Sequence, residues 1–328
     1  MASRITTLWE SVGNTPLLDI STLSRRTGNT ILGKAEFMNP GGSIKDRAAK
    51  GMIAAAERDG SLKPGATIVE GTAGNTGIGL ALLGRERGYR VVVTMPDNQT
   101  REKYELLEAM GAEVRKVPVV PFANENHFFH QARTLSQEHG WWWANQFENP
   151  ANAEYHAQTT AQEIWEQCEG KLDVLVASCG TGGTLGGVSS ALKEKNPKLE
   201  VVVVDPLGSG LYCHVREGKL ETTGGSITEG IGIMRLTANF KRARIDSAMR
   251  VSDQEMIEML YHLAREDALV VGTSAALNVR GAYELAKARP NQGLRIATFL
   301  CDHGSRYASK VFNPEFLASK NLVVRPLP

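Results

Sequence analysis

Two stretches of this chain pass from a β-branched run through a glycine-rich turn into a helix, and this transition restricts the fold more than any other feature. Thr67-Ile68-Val69-Glu70 reads as a short strand, continues into Gly71-Thr72-Ala73-Gly74-Asn75-Thr76-Gly77, and then becomes an apolar helix ending near Gly88. Residues 172–177 read as another strand, followed by Gly180-Thr181-Gly182-Gly183-Thr184 and a helix through Lys195. Glycines between a strand and a helix let backbone N–H groups close on an anion at the helix N-terminus. One such loop is what any α/β protein needs for a tight turn; two of them ask for more. The alternation extends along the chain. Residues 90–95, 113–117, 141–144, 200–205, 269–271 and 294–301 read as strands or strand ends. Residues 100–110, 124–139, 152–168 and 275–289 read as helices, the first two closed by Gly111 and Gly140. The order predicts an α/β fold with parallel-rich sheets flanked by helices. No internal repeat or low-complexity linker interrupts it.

A third segment, Asn39-Pro40-Gly41-Gly42-Ser43-Ile44-Lys45-Asp46-Arg47, puts a lysine where a helix disfavours one. Ser43 suits an N-cap, Asp46 suits the first turn, and the alanine-rich run to Glu57 is helical, with Gly60 near the stop. Lys45 is then expected at the second helical position, beside unpaired N–H groups and the positive end of the dipole. That field favours the neutral, nucleophilic form of an amine. Taken alone, the same lysine could simply bend into water.

Composition removes several function classes. With 37 basic and 36 acidic residues the net charge is +1, so nothing electrostatic calls for nucleic acid or an anionic membrane. A hydrophobic share of 42% supports a real core, and 33 glycines exceed the usual ~7%. Cys168, Cys179, Cys213 and Cys301 have neither CxxC pairing nor zinc spacing, and read as free thiols of a reducing compartment. His127 and His130 stand at i and i+3, but no carboxylate or thiol spacing accompanies them; they read as a helix face, and no metal is expected. The first residues lack an h-region and a cleavage site, and no apolar run approaches the ~18 residues of a membrane span. A cytoplasmic protein is expected.

Taken together, these segments resemble the cysteine synthase/cystathionine β-synthase family of fold type II pyridoxal 5'-phosphate (PLP) enzymes. The matching pieces are Gly13-Asn14-Thr15-Pro16-Leu17, residues 39–47, Thr72-Ala73-Gly74-Asn75-Thr76-Gly77, Gln146-Phe147-Glu148-Asn149-Pro150, Gly180-Thr181-Gly182-Gly183-Thr184, Glu229-Gly230-Ile231-Gly232 and Gly272-Thr273-Ser274. They occur in the family's order over nearly the whole chain. The resemblance implies a two-domain, tryptophan synthase β-like α/β fold with PLP between the domains. The smaller domain would take residues 1–12 and 39–149. The larger would take 13–38 and 150–328, with an early hairpin over 17–36. No haem-binding segment and no regulatory module are expected, and the family usually forms homodimers.

The resemblance also assigns residues. Lys45 would be the Schiff-base lysine and would later move the substrate Cα proton. Gly180, Thr181, Gly182, Gly183 and Thr184 would form the phosphate cup. Asn75 would meet the cofactor's ring hydroxyl, although an asparagine in a Gly-rich turn is ordinarily turn chemistry. Thr72, Ala73, Asn75 and Thr76, with Gln146, would bind the carboxylate of a small amino-acid substrate. Ser274 would face the pyridine nitrogen; it also suits an N-cap for the helix from Ala275. A hydroxyl there, instead of an aspartate, makes a weaker electron sink and favours β-replacement or β-elimination. Cysteine synthase-type β-replacement ranks first, with cysteine desulfhydrase-type elimination as the alternative.

Three positions depart from the family's synthases: Ala73 replaces a usual serine, Ala275-Ala276 replaces Ser-Gly, and Asp302-His303-Gly304-Ser305-Arg306-Tyr307 stands for Asp-Ser-Gly-Glu-Arg-Tyr. His303 would lie near the cofactor end of a strand. The competing enzyme reading is a nicotinamide-dependent oxidoreductase. Gly74-Asn75-Thr76-Gly77 opens a helix, and Asp97 follows at about the distance of a ribose-binding acid. Its spacing is not G-x-G-x-x-G, and it leaves Lys45 unexplained. A non-catalytic binding protein on this fold is expected to lack Lys45 or the cup, and neither is missing.

Overall fold

The structure is a computed structural model, and it describes residues 6–327. Residues 1–5, part of the segment assigned above to the smaller domain, and residue 328 lie outside the described residues. Among the described residues ten strands form two sheets. The six-stranded sheet runs Leu17–Asp19, Thr30–Lys34, Arg295–Phe299, Val174–Ala177, Glu200–Pro206, Ser247–Val251. Only its first pair is antiparallel. The four-stranded sheet runs Glu113–Val117, Arg90–Pro96, Thr67–Gly71, Trp142–Trp143 and is wholly parallel.

The strand sequences explain why both sheets are covered. Val174, Val176, Val202 and Val204 enter one apolar cluster, with Leu260, Val279 and Ala282 of the helices Asp253–Glu266 and Thr273–Ala288. Leu175, Ala177, Val201 and Val203 enter another, with Leu185, Val188 and Leu192 of the helix Gly183–Lys195. Side chains alternate across a strand, so a continuous apolar run needs a helix layer on each face. In the smaller sheet Ile68, Val91 and Val93 pack on Met52, Ile53 and Leu80, while Val69 and Val92 face Ala132 and Leu135.

Several elements differ from the sequence reading. Residues 152–168 are not one helix. Pro150–Gln158 and Thr160–Gln167 are separated at Thr159, whose φ of −121° and ψ of −69° leave the helical region. Beyond that break Glu163 meets Lys34 and Arg47. The helix expected from residue 124 starts later, at Phe128–His139, because His127 is its N-cap and accepts the Phe129 N–H at 3.2 Å. Residues 269–271 form no strand; Val271 makes an isolated bridge with His303. The strand Ser247–Val251 and the helix Asp253–Glu266 were missed, although Ser252 and Glu255 form a capping box at the start of that helix.

The lysine helix, Lys45–Asp59, is anchored by a buried ionic network. The Arg47 guanidinium donates to Glu36 at 2.8 and 2.9 Å and to Glu163 at 2.7 Å from each of two nitrogens. Lys34 Nζ donates to Glu163 and to the Thr15 carbonyl, both at 2.6 Å. Lys34 ends a strand of the six-stranded sheet and Glu36 lies just beyond it, so the network ties the helix to that sheet. No helix among the described residues is long and apolar enough to cross a membrane.

Candidate active site

Strands of parallel α/β sheets deliver their loops at their C-terminal ends, where ligand clefts form. Gly71 ends one strand of the smaller sheet and Ala177 one strand of the larger. Between the loops that follow lies a cavity of about 240 Å³. Lys45, Thr72, Ala73, Asn75, Thr76, Gln146, Gly180, Thr181, Gly182, Thr184 and Ser274 all line it. Of the expected site residues only Gly183 is not at the wall.

Lys45 is the first helical residue, one position earlier than expected. Ile44 occupies the cap position, and the Ser43 hydroxyl accepts the Lys45 N–H at 3.2 Å. Gly60 closes the helix with φ +78°. Two residues beyond the lysine, Arg47 is locked in the ionic network, which fixes where the lysine enters the cavity.

The second glycine loop makes a tight cradle. A Cβ on Gly180 would meet the Gly230 carbonyl at 2.1 Å, and one on Gly182 would meet the Phe240 nitrogen at 2.3 Å. Gly182 (φ +87°) opens the helix Gly183–Lys195. The Thr181 oxygen accepts from Gly183 N–H at 3.3 Å and from Asn152 at 3.1 Å. Its own O–H is therefore left to donate elsewhere. The Thr184 hydroxyl sits 3.2 Å from His156 Nε2, whose Nδ1 is 2.8 Å from the Thr160 hydroxyl. Burial, with the charges of Arg47 and Lys45, holds His156 well below its usual range, so the ring is neutral.

The first glycine loop faces the cradle. The Thr72 hydroxyl accepts Gly74 N–H at 3.0 Å, Thr76 donates to Gln146 at 2.5 Å, and Gln146 donates to the Gly71 carbonyl at 3.0 Å. Glu70, wholly buried beneath this loop, is pushed up to about 8 by burial. Asn75 donates to Asp302 at 2.7 Å and accepts from Arg306 at 2.6 Å.

Ser274 is a helical residue, not the cap; the helix is Thr273–Ala288 with Gly272 at its cap position. One turn on, Asn278 lines the same wall. It accepts Ser178 N–H at 2.6 Å and donates to the Phe299 carbonyl at 3.0 Å. Cys301 and Cys179 also line the cavity. Burial pushes the Cys301 thiol up to about 12 and Cys179 higher still, so both are inert protonated thiols. All four cysteines are free. His303 is exposed and is absent from the cavity wall; it caps the short turn Gly304–Tyr307 by accepting Ser305 N–H at 3.1 Å. Asp97 is exposed and also outside the cavity wall, which removes the basis for a ribose contact. The sequence reading passed over Lys103 and its pairing with Glu229, the first residue of the Glu229–Gly232 motif; both are buried at the wall and paired at 2.5 Å, with Lys310 on the other Glu229 oxygen at 2.5 Å.

The profile of a family described as "Pyridoxal-phosphate dependent enzyme" matches residues 8–302. The chain belongs to that family. It is 46% identical to the cysteine synthase of Dictyostelium discoideum over 97% of this chain and 87% of that protein. Among solved structures, an O-acetylserine dependent cystathionine beta-synthase from Helicobacter pylori superposes with a TM-score of 0.86 at 30% identity, covering 94% of this chain and 98% of that one. A hydrogen sulfide-producing enzyme from Fusobacterium nucleatum gives 0.85 at 30% identity, covering 93% and 100%. The fold is thus the fold type II, tryptophan synthase β-like arrangement, and the cofactor is PLP. The residues fit it. A glycine cradle at a helix start with a free threonine O–H suits a phosphate dianion, and an amine opens into the same cavity.

Proposed function

We propose that this enzyme catalyses β-replacement on a serine- or cysteine-type amino acid: O-acetylserine and hydrosulfide give cysteine and acetate. The observation that carries the reading is one cavity that holds the Lys45 amine, the Gly180–Thr184 cradle and the Thr72–Thr76 loop together. When bound, PLP supplies the electron sink that labilises the substrate's Cα–H bond. Thr181 and Thr184 hydroxyls and loop N–H groups hold its phosphate. Asn75 contacts its ring oxygen. Thr72, Asn75, Thr76 and Gln146 orient the substrate carboxylate, with Thr76 and Gln146 exchanging their mutual hydrogen bond for it. The Lys45 amine takes the Cα proton as general base. Residues 39–149, with the segment up to residue 12, close on residues 13–38 and 150–328 and exclude water during the reaction. The protein is proposed to act as a cytoplasmic homodimer, and light scattering on the purified chain tests the dimer. Cysteine formed from O-acetylserine and sulfide by the holoenzyme tests the activity; no cysteine and no acetate above the protein-free rate would reject it.

Ser274 is proposed to leave the ring nitrogen with a neutral partner. Ser274→Asp should keep PLP bound but slow turnover by about tenfold or more, because a carboxylate would hold a proton on that nitrogen. A variant as fast as the parent would place Ser274 elsewhere.

A second reading has its own observation. Ala73 lines the substrate loop without a hydroxyl, so a contact to the substrate carboxylate worth about 1.5–3 kcal/mol is not made there. Weaker closure admits water, and cysteine plus water would then give pyruvate, ammonia and hydrogen sulfide. Ala73→Ser should raise the ratio of cysteine to pyruvate formed from O-acetylserine and sulfide. An unchanged ratio, with no sulfide released from cysteine by the parent, rejects the elimination reading.

A further inference from the structure

The segment that follows the strand Arg295–Phe299 reaches both the Asn75 loop of the smaller sheet and the loop that leads into Lys45. Asp302, fully buried, accepts the Asn75 amide N–H at 2.7 Å and the Tyr307 hydroxyl at 2.6 Å on the same oxygen. Arg306, also buried, donates from one nitrogen to the Asn75 carbonyl at 2.6 Å and from the other to the Gly41 carbonyl. Alongside, Ile44 N–H donates to the Cys301 carbonyl at 2.8 Å, and Ser43 pairs with Asp302 in an isolated bridge. One short segment therefore grips the helix start that carries Asn75 and the loop that leads into Lys45.

A carboxamide has two ends of nearly equal size, so rotation about its last bond exchanges donor for acceptor with little steric resistance. At Asn75 that exchange is blocked chemically. The Asp302 oxygen that faces Asn75 accepts, and accepts from the Tyr307 hydroxyl as well, while a guanidinium only donates. In the flipped state both contacts would be repulsive. One N–H and one carbonyl lone pair of Asn75 are left over, with their orientation set.

We propose that Asp302 and Arg306 are positioning residues that lock the Asn75 carboxamide in one orientation toward the cofactor ring and hold the Gly41 loop in register with it. The proposal rests on the reading of Asn75 as the ring-oxygen contact, and the test separates the two. The visible absorption band and PLP dissociation constant are measured for reconstituted Asn75→Ala, Asp302→Asn, Arg306→Met, the double variant Asp302→Asn/Asn75→Ala, and Tyr307→Phe. Asn75→Ala should shift the band and weaken PLP binding by about tenfold, the loss of one good hydrogen bond. Asp302→Asn and Arg306→Met should shift the band in the same direction. The double variant should match Asn75→Ala, because the clamp acts through that side chain. Tyr307→Phe removes a hydrogen bond from the same carboxylate but leaves both Asn75 partners, and should keep the parent's band.

An unshifted band in Asn75→Ala rejects the contact and the clamp with it. A shift in Asn75→Ala with none in Asp302→Asn or Arg306→Met rejects the clamp alone, as does a double variant shifted further than Asn75→Ala. If Tyr307→Phe shifts like Asp302→Asn, general disturbance explains the effect and the clamp is rejected. Should Asp302→Asn fail to fold, Arg306→Met decides the question, since it leaves the carboxylate in place.

Discussion

Replacing Lys45 with alanine should abolish the visible absorbance of the holoenzyme and lower turnover by about 10³-fold or more, the scale of losing a positioned general base. Folding should be nearly untouched. Alanine is the best helix former, and the Ser43 cap uses the backbone N–H of residue 45, which the substitution keeps. The flanking contacts also survive: Asp46 still accepts Gly41 N–H at 2.5 Å, and Arg47 still holds Glu36 and Glu163. Absorbance, single-turnover kinetics and a thermal melt on one preparation separate chemistry from stability. A yellow, active Lys45→Ala protein would reject the assignment outright. A colourless protein that also melts well below the parent would show that the lysine's stem contributes packing which the capping argument leaves out.

The parts of the site that could be read from the sequence are those whose signal is local. Glycines with no room for a Cβ, such as Gly180 and Gly182, have to sit where backbone crowds backbone, and they mark the cradle whatever else surrounds it. Lys45 was legible because its helix start is written in Ser43, Asp46 and the alanine run. The register was still off by one, since Ile44 holds the cap position while Ser43 reaches past it. The pairing of Lys103 with Glu229 was illegible for the opposite reason. Lys103 lies on an ordinary amphipathic helix, and its partner is 126 residues away. Nothing in the neighbourhood of either residue announces a buried pair. The break at Thr159 was missed because it involves no glycine or proline. The capping box at Ser252 and Glu255, by contrast, was fully local and open to reading. His303 follows the end of a strand but is exposed, and its ring serves the turn after it, the structural role that was the more expected one.

The anchoring network makes the other large prediction. Arg47 stands between two carboxylates, both within 3 Å of its nitrogens, and its side chain has no exposure to water. Arg47→Met keeps the volume but leaves Glu36 and Glu163 sharing Lys34 as the one cation of the network. Breaking a buried ion pair on one side costs about 3–5 kcal/mol, because an uncompensated charge stays behind. Urea unfolding at neutral pH should show that loss as a lower midpoint with an unchanged slope. The pH dependence identifies its origin. Burial raises Glu163, but hydrogen bonds and charge from Arg47, then Lys34, outweigh it and hold the carboxyl at about 2, against an ordinary value of 4.5. A carboxyl depressed in the folded state stabilises the protein fully above its unfolded pKa and loses that contribution as pH falls through the folded one. The parent should therefore lose this stability between about pH 4.5 and 2. Arg47→Met has already lost most of it, so the gap between the two proteins should narrow across that window. A gap that stays constant from pH 7 to pH 3 would mean that packing around the guanidinium, and not its charge, secures the helix. The catalytic consequence follows from position. Lys45 lies two residues before Arg47 on the same helix, so a loosened Arg47 lets the amine wander. Turnover should fall in Arg47→Met even where the protein is fully folded, and most of that fall should appear in kcat, because the Thr72–Thr76 loop, proposed to hold the substrate carboxylate, shares no hydrogen bond with the network.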